Sequence, residues 1–282
     1  MKETKVYLLD GGTMALDRSY LFLEAGLAGE ERFPVYGVLI DHPDGKFLFD
    51  TGFDKDHVCK TAPFTKPQQT ERQTLPGQLD LLKMRPSEIT HVINSHYHLD
   101  HCGGNKYCTC ATTVCHHLEL QAFSAPSESE MVGYSDTSFA PNLRRDYSAA
   151  QAQDTAERAA ETARKVEASA MDIFTPRFET LGGDQEIAKG IHLFETLGHT
   201  AGHYSLMVTL ANRRPMLFTA DACYSQKNLD MMCIQAGNHD PEQARASLQR
   251  LKDLAEKYDA ELFFSHDAES YKNYRKAPLP YL

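Results

Sequence analysis

The chain has no apolar run long enough to cross a bilayer, which takes about 20 consecutive apolar residues. Its opening segment, MKETKVYLLDGG, offers only VYLL, too short for the core of an export signal. The sequence also lacks a run of lysine and arginine. Its 29 basic and 39 acidic residues leave a formal net charge of -10, and an acidic surface repels nucleic acid and anionic lipid. Neither nucleic acid nor membrane is therefore expected as a partner. Seven cysteines without an export signal are expected to be free thiols in a reducing cytoplasm. Cys108 and Cys110 form a C-x-C beside Cys115, but no second cysteine pair lies near. They are read as structural rather than as a soft-metal site. No internal repeat is evident.

What is present suffices for a real core. Of 282 residues, 41% are hydrophobic and 24% charged, ordinary for a globular protein. KVYLL, PVYGVLI and KFLFDTG read as short strands, with turns at DGG and DHPDGK. A helix is expected over 76–84, starting at Pro76, and PSEI signals another helix start. THVINS reads as a strand, CGGN as a glycine turn opening a helix, 112–115 as a strand and 117–123 as a helix. After Gly182 come the β-rich segments IHLFETLG, HYSLMVTL and PMLFTAD. Asp240 then caps a helix with Pro241 at its first position. Ala244, Leu248, Leu251, Leu254, Ala255 and Tyr258 trace one face of that helix, and AELFFSHD is a last buried strand. Two β-rich halves, each followed by helices, argue for one α/β domain, residues 1–282, with stacked sheets. Residues 124–185 differ in character. Their Ala/Glu/Arg-rich run has strong helix propensity but a weak apolar stripe. It is read as a helical insertion, either covering the active site or packed by one face only.

The densest chemistry lies in SHYHLDHCGGN, which sets His96, His98, Asp100 and His101 into six positions. Side chains alternate along an extended segment, so His96 and His98 point the same way, and Asp100 and His101 join them once the chain turns. Imidazole suits zinc and other first-row metals, and a carboxylate adds charge for a second ion. Four donors cannot close two metal sites, so more are expected at the ends of other strands. His199 in TLGHTAGHYSL, Asp221 in LFTADACY and His266 in LFFSHD each follow an apolar strand. Each alone reads as a cap or a core residue; beside the four-donor cluster they read as ligands. Asp221 has two oxygens with which to bridge two ions, and is preferred to Cys223, which is read as packing.

This pattern, H-x-H-x-D-H followed by a later His, an Asp and a last His, resembles the metallo-β-lactamase superfamily across nearly the whole chain. The resemblance implies an αββα sandwich, two stacked mixed β-sheets flanked by helices, with the site at one edge. It implies two metal ions, zinc above other first-row metals. One would be held by His96, His98 and His199, the other by Asp100, His101 and His266, with Asp221 between. His98 stands where oxygen-reducing relatives carry a glutamate, which favours a hydrolase. Exported β-lactamases use a cysteine ligand where this chain has Asp221. Thioester hydrolases carry a C-terminal helical domain, and only residues 267–282 follow His266. HYHLDHCGGN, GHTAGHYSL, DACYSQKN and FFSHD resemble the N-acyl-homoserine-lactonase group within that superfamily. The family often forms dimers, although the sequence leaves a homodimer open.

The reaction so implied is hydrolytic opening of a lactone ring, either an N-acyl homoserine lactone or the compact 4-pyridoxolactone, by a hydroxide shared between the metals. By its place in the group, Tyr224 is the catalytic tyrosine that donates to the developing oxyanion. Asp100 is both ligand and proton carrier to the leaving alkoxide. Asp50 in FDTG is expected to orient a ligand, and His203 to sit behind the ligands or in the core. His116 and His117 read as structural; His42, His57, His91, His192 and His239 as surface or packing. Gly103 and Gly104 are expected to allow a tight turn close to the metals. Two alternatives stand beside the lactonase: a thioester or phosphodiester hydrolase on the same site, and a metal-binding protein without catalysis.

Overall fold

Alternation along the strands decides the layers. In β1 (Lys5–Asp17), Val6 and Leu8 face one side while Tyr7 and Leu9 face the other. β2 (Glu30–His42) and β3 (Gly45–Phe49) repeat this. Val38, Ile40, Phe47 and Phe49 turn to the first side, Leu39 and Leu48 to the second. These residues belong to a computed structural model that describes residues 3–134 and 177–282. β1, β2 and β3 continue through β4 (His91–Ile93), β5 (Thr112–His116) and β6 (Arg177–Leu181) into one six-stranded sheet in that order. Its first two pairings are antiparallel and the next three parallel. β7 (Gln185–Ala188), β8 (Ile191–Glu195), β9 (Tyr204–Val208), β10 (Met216–Phe218) and β11 (Glu261–Phe263) form the second sheet, antiparallel except for the β10–β11 pair.

Helices cover both outer faces. They are α1 (Arg18–Leu21), α2 (Lys55–Thr61), α3 (Leu75–Leu81), α4 (His117–Ser124), α5 (Gln226–Met231), α6 (Pro241–Tyr258) and α7 (Ala268–Asn273). Between the sheets, Val6, Leu8, Ile40 and Ile93 pack against Ile191, Leu193, Leu206 and Phe218. On one outer face, Leu75 and Leu79 of α3 cover Leu39, Leu48 and Val92. On the other, Ala244, Leu248, Leu251 and Leu254 of α6 cover Phe194, Met207 and Leu217. The result is the αββα sandwich that the sequence pattern implied. α6 starts as expected: the Asp240 side chain accepts from Glu242 N and Gln243 N, with Pro241 next. No helix among the described residues is long and apolar enough to cross a membrane.

Several local expectations fail. DGG is not a turn. β1 runs through it with a register shift between Asp10 and Thr13, because Gly11 lies so close to β2 that a Cβ would meet Val35 O at 2.8 Å. The glycines serve a bulge here. PSEI and CGGN open no α-helix; each gives a single 3-10 turn, Pro86–Glu88 and Asn105–Tyr107. Of the 124–185 stretch, α4 reaches Ser124 and Arg177–Leu181 is the edge strand β6. The Ala/Glu-rich run, residues 148–174, lies outside the described residues.

Candidate metal centre

The donor residues sit just past strand ends on one edge of the sandwich. His96 lies beyond β4, His199 beyond β8, and His266 beyond β11. Asp221 lies in a 3-10 turn, Ala220–Ala222, directly after β10. Strand ends suit such a task, because the sheets fix the backbone while the chain past them is free to turn side chains together. His199 is brought in by Gly198, whose φ is +115° and where a Cβ would lie 2.1 Å from Ala244 N of α6. Gly103 and Gly104 have ordinary φ; their need is close approach, since a Cβ would meet Asp54 N at 2.4 Å and Thr51 O at 2.6 Å.

The Asp221 carboxylate lies at the middle of the group. Its Oδ2 is 3.4 Å from His199 Nε2 and 3.7 Å from His96 Nε2. His98 joins this side through Nδ1, 3.0 Å from His199 Nε2. Oδ1 of the same carboxylate is 3.2 Å from His101 Nε2 and 3.2 Å from His266 Nε2. Asp100 Oδ2 completes that side, 3.7 Å from His101 Nε2 and 3.5 Å from His266 Nε2. The two groups, His96/His98/His199/Asp221 and Asp100/His101/His266, each have donor atoms within 4.8 Å of one another. The fold thus brings together all seven residues singled out as ligands.

The donors are held by polar partners behind them. Asp50, at φ +57°, accepts from Ser95 N at 2.8 Å and Ser95 Oγ at 2.8 Å, and meets His101 Nδ1 at 2.8 Å. Ser95 Oγ lies 2.9 Å from His96 Nδ1. Pro34 O faces His266 Nδ1 at 2.9 Å. Gln235 Nε2 lies 2.7 Å from His199 Nδ1 and donates to Asp221 O at 2.7 Å, while Asn238 Oδ1 lies 3.3 Å from the same Nδ1. His203 Nε2 accepts from Asp221 N at 3.0 Å, with Nδ1 on Thr196 Oγ1 at 2.8 Å, so it orients the aspartate from behind. Gln235 and Asn238 escaped sequence reasoning: an amide in a loop carries no periodic or motif signal.

Charge divides the histidines. Burial, reinforced by neighbouring histidines, holds His96 well below its ordinary pKa. Burial also brings His98 and His199 down to about 3. These three are neutral and ready to donate lone pairs. Burial works against charge at His101 and His266 too, but the Asp221 and Asp100 carboxylates outweigh it and raise both. Burial pushes Asp221 up, and His101 and His266 more than reverse it, holding the carboxyl well below the usual range. Without metal, the carboxylates thus favour a proton on His101 and His266, which both would give up on binding an ion. His96 Nε2, His101 Nε2 and Asp221 Oδ1 are nevertheless buried without a hydrogen bond. Native interiors rarely leave such atoms orphaned. Two imidazole nitrogens and one oxygen of the Asp221 carboxylate, orphaned together, fit divalent first-row metal ions.

Tyr224 completes the site's wall. Its ring stands edge-on to His266 at 4.7 Å and to His199 at 6.0 Å. Burial first, then the Asp221 charge, raise its hydroxyl well above the ordinary phenol range, so it remains a donor. Cys223 is packing as expected: it is buried, with its thiol against Ser225 O at 3.3 Å. All seven cysteines are free. His116 pairs with Glu195 at 2.8 Å and stacks on His117, away from the cluster.

A family model described as the metallo-beta-lactamase superfamily matches residues 31–266. The chain is 26% identical over 286 residues to the N-acyl homoserine lactonase AiiA of Bacillus thuringiensis subsp. kurstaki, covering 99% of each. It is 25% identical over 291 residues to the N-acyl homoserine lactonase AttM of Agrobacterium fabrum, covering 99% of this chain and 98% of that one. Among solved structures, an N-acyl homoserine lactone hydrolase with the product N-hexanoyl-L-homoserine at its catalytic metal centre superposes with a TM-score of 0.77 at 24% identity, covering 100% of both chains. The dizinc quorum-quenching lactonase AidC gives 0.65 at 18% identity, covering 95% of this chain and 90% of that one. These structural likenesses speak for the fold.

Proposed function

The chain belongs to the metallo-β-lactamase superfamily, and from that premise we propose that it is a metal-dependent hydrolase that opens the ring of an N-acyl homoserine lactone. The observation that carries the proposal is the division of Asp221: each carboxylate oxygen faces its own set of histidines. A pure binder needs no such pairing of positions. The ligands are His96, His98 and His199 on one side and Asp100, His101 and His266 on the other, with Asp221 shared. This set of N and O donors suits two zinc ions. Two such ions, when bound, supply a nucleophile at neutral pH and polarise an ester carbonyl.

The chain's own residues supply the rest. Tyr224 donates its hydroxyl hydrogen to the oxygen that gains negative charge as the carbonyl is attacked. Asp100 is the most exposed of the donor carboxylates, 14% against 2% for Asp221. That places it to take the proton released by the attacking water and pass it to the alkoxide as the ring C–O bond breaks. Asp50 and Pro34 O keep the His101 and His266 rings oriented.

The walls favour an acyl chain. Met14, Leu21, Phe22, Phe33 and Leu99 form one apolar cluster with Tyr224. Tyr20 is 39% exposed, with its hydroxyl against Gly237, and burial with the Asp100 and Asp221 charges raises its pKa. Met131 and Val132 are exposed beside Gly133, which abuts His98. Met14, Leu21, Phe22, Phe33 and Leu99 are already buried, so the acyl chain's cover would fall on the exposed Tyr20, Met131 and Val132, which a compact lactone such as 4-pyridoxolactone would leave wet. The free thiols suit a cytoplasmic enzyme.

The test compares metal-analysed protein on N-hexanoyl homoserine lactone, 4-pyridoxolactone, a thioester and a phosphodiester. Fastest turnover of the acyl lactone is expected. Preference for 4-pyridoxolactone would keep the lactonase and change its substrate. Activity confined to the thioester or phosphodiester would overturn the assignment.

A further inference from the structure

Glu119 of α4 has no part in the chemistry above, yet it is fully buried. Its Oε1 accepts from Tyr97 N at 2.8 Å and its Oε2 from Gly202 N at 3.1 Å. The hydroxyls of Thr200 and Tyr134 are buried without a hydrogen bond and lie near enough to favour its charged form, against the burial that raises its pKa. A buried carboxyl that accepts from two backbone N–H groups, with two hydroxyl donors beside it, is suited as an anion, whereas a protonated one would need an acceptor. Keeping a carboxylate here is costly without such partners, so the arrangement is specific.

All four donors come from segments that carry or touch one half of the metal centre. Tyr97 lies between His96 and His98. Thr200 and Gly202 follow His199, and a Cβ on Gly202 would lie 2.2 Å from Glu119 N. The Tyr134 ring is 5.0 Å from that of His98. The other half takes its own support from Pro34 O at His266 and from Asp50 at His101, and Asp50 also reaches His96 through Ser95. We propose that Glu119 is a positioning residue that fixes the His96–His98 segment against the His199 segment, so that one metal position depends on it and the other does not. This rests on the two-metal reading above.

Metal-free wild type, Glu119→Gln, Thr200→Val and Asp50→Asn would be titrated with Co(II), following both stoichiometry and the visible spectrum, with circular dichroism to check folding. In Glu119→Gln an amide NH₂ must face a backbone N–H or a hydroxyl. One cobalt position should then weaken by about 10–100-fold, the usual effect of losing such a partner, while the other holds. Thr200→Val should shift the same position by less. Asp50→Asn, which loosens both His101 and the Ser95 contact to His96, should weaken both positions and so contrasts with Glu119→Gln. A folded Glu119→Gln protein that binds both ions like wild type, or loses both equally, overturns the inference. If Glu119→Gln does not fold, an unchanged titration of Thr200→Val overturns it. A wild type that takes fewer than two cobalt ions overturns the two-metal reading and this inference with it, a result separate from selective failure of the variants.

Discussion

Asp221 is 2% exposed and shares its two oxygens among four histidines. At this scale the chemistry was legible before the fold, because metal binding accepts few residue types and the H-x-H-x-D-H run gathers four of them. What could not be read was the support. Ser95, Glu119, Gln235 and Asn238 are common polar residues with no spacing to mark them, and a glutamate early in a helix reads as surface. Tyr224 carries the sharpest prediction at this scale. In the proposed reaction its hydroxyl acts only once charge develops, so Tyr224→Phe should lower turnover by roughly 10²–10³-fold, as loss of one oxyanion donor does. Metal content should remain that of wild type. Elemental analysis beside steady-state kinetics checks both; unchanged turnover would remove Tyr224 from the mechanism.

Secondary-structure elements were legible where alternation or a cap was strong. β1, β2 and β3 form where strands were expected, α6 shows the expected face, and Asp240 with Pro241 marks its start. Glycine misled the reading. DGG, CGGN and GHT share a residue type but serve three needs: a bulge in β1, close approach to the 51–54 backbone, and a left-handed residue before His199. Sequence distinguishes none of these, because the need lies in the neighbour that approaches. Gly198 makes the point testable. Alanine there meets both φ +115° and the backbone of α6 at 2.1 Å. The φ alone costs about 1–3 kcal/mol, and the clash adds to it. Gly198→Ala should lower the melting temperature and weaken metal retention in dialysis. A variant with wild-type melting and metal content would show that the His199 segment has slack this packing does not allow.

At the scale of the whole molecule, the αββα layering follows from two β-rich halves whose strands bury both faces. Residues 135–176 lie outside the described residues, so the helical insertion read there stays an expectation. The centre's electrostatics set how the metal-free protein responds to acid. His96, His98, His199 and His203 have folded pKa values held below the unfolded value. As pH falls below about 6.5 the unfolded chain takes up protons that the folded chain refuses, so stability falls. His101 and His266 have raised values. Their contribution is complete below about 6.5 and lost as pH rises through the folded values. Asp50 and Glu119, raised by burial, act in the opposite sense, gaining stability as they protonate, but they are two groups against four. Four depressed histidines dominate the window from about 6.5 down toward 3. The melting temperature of metal-free protein should therefore drop between pH 6.5 and 4.5. A flat or rising profile in thermal unfolding would mean that these imidazoles are charged in the fold.

The most direct test of the central claim is stepwise reconstitution. Metal-free protein would receive zinc in measured increments while ring opening of N-hexanoyl homoserine lactone is followed. The two donor groups around Asp221 predict no ring opening without metal, and activity that rises with loading and levels off at two ions per chain. Ring opening by the metal-free protein, or two bound ions with every lactone left intact, would contradict the account.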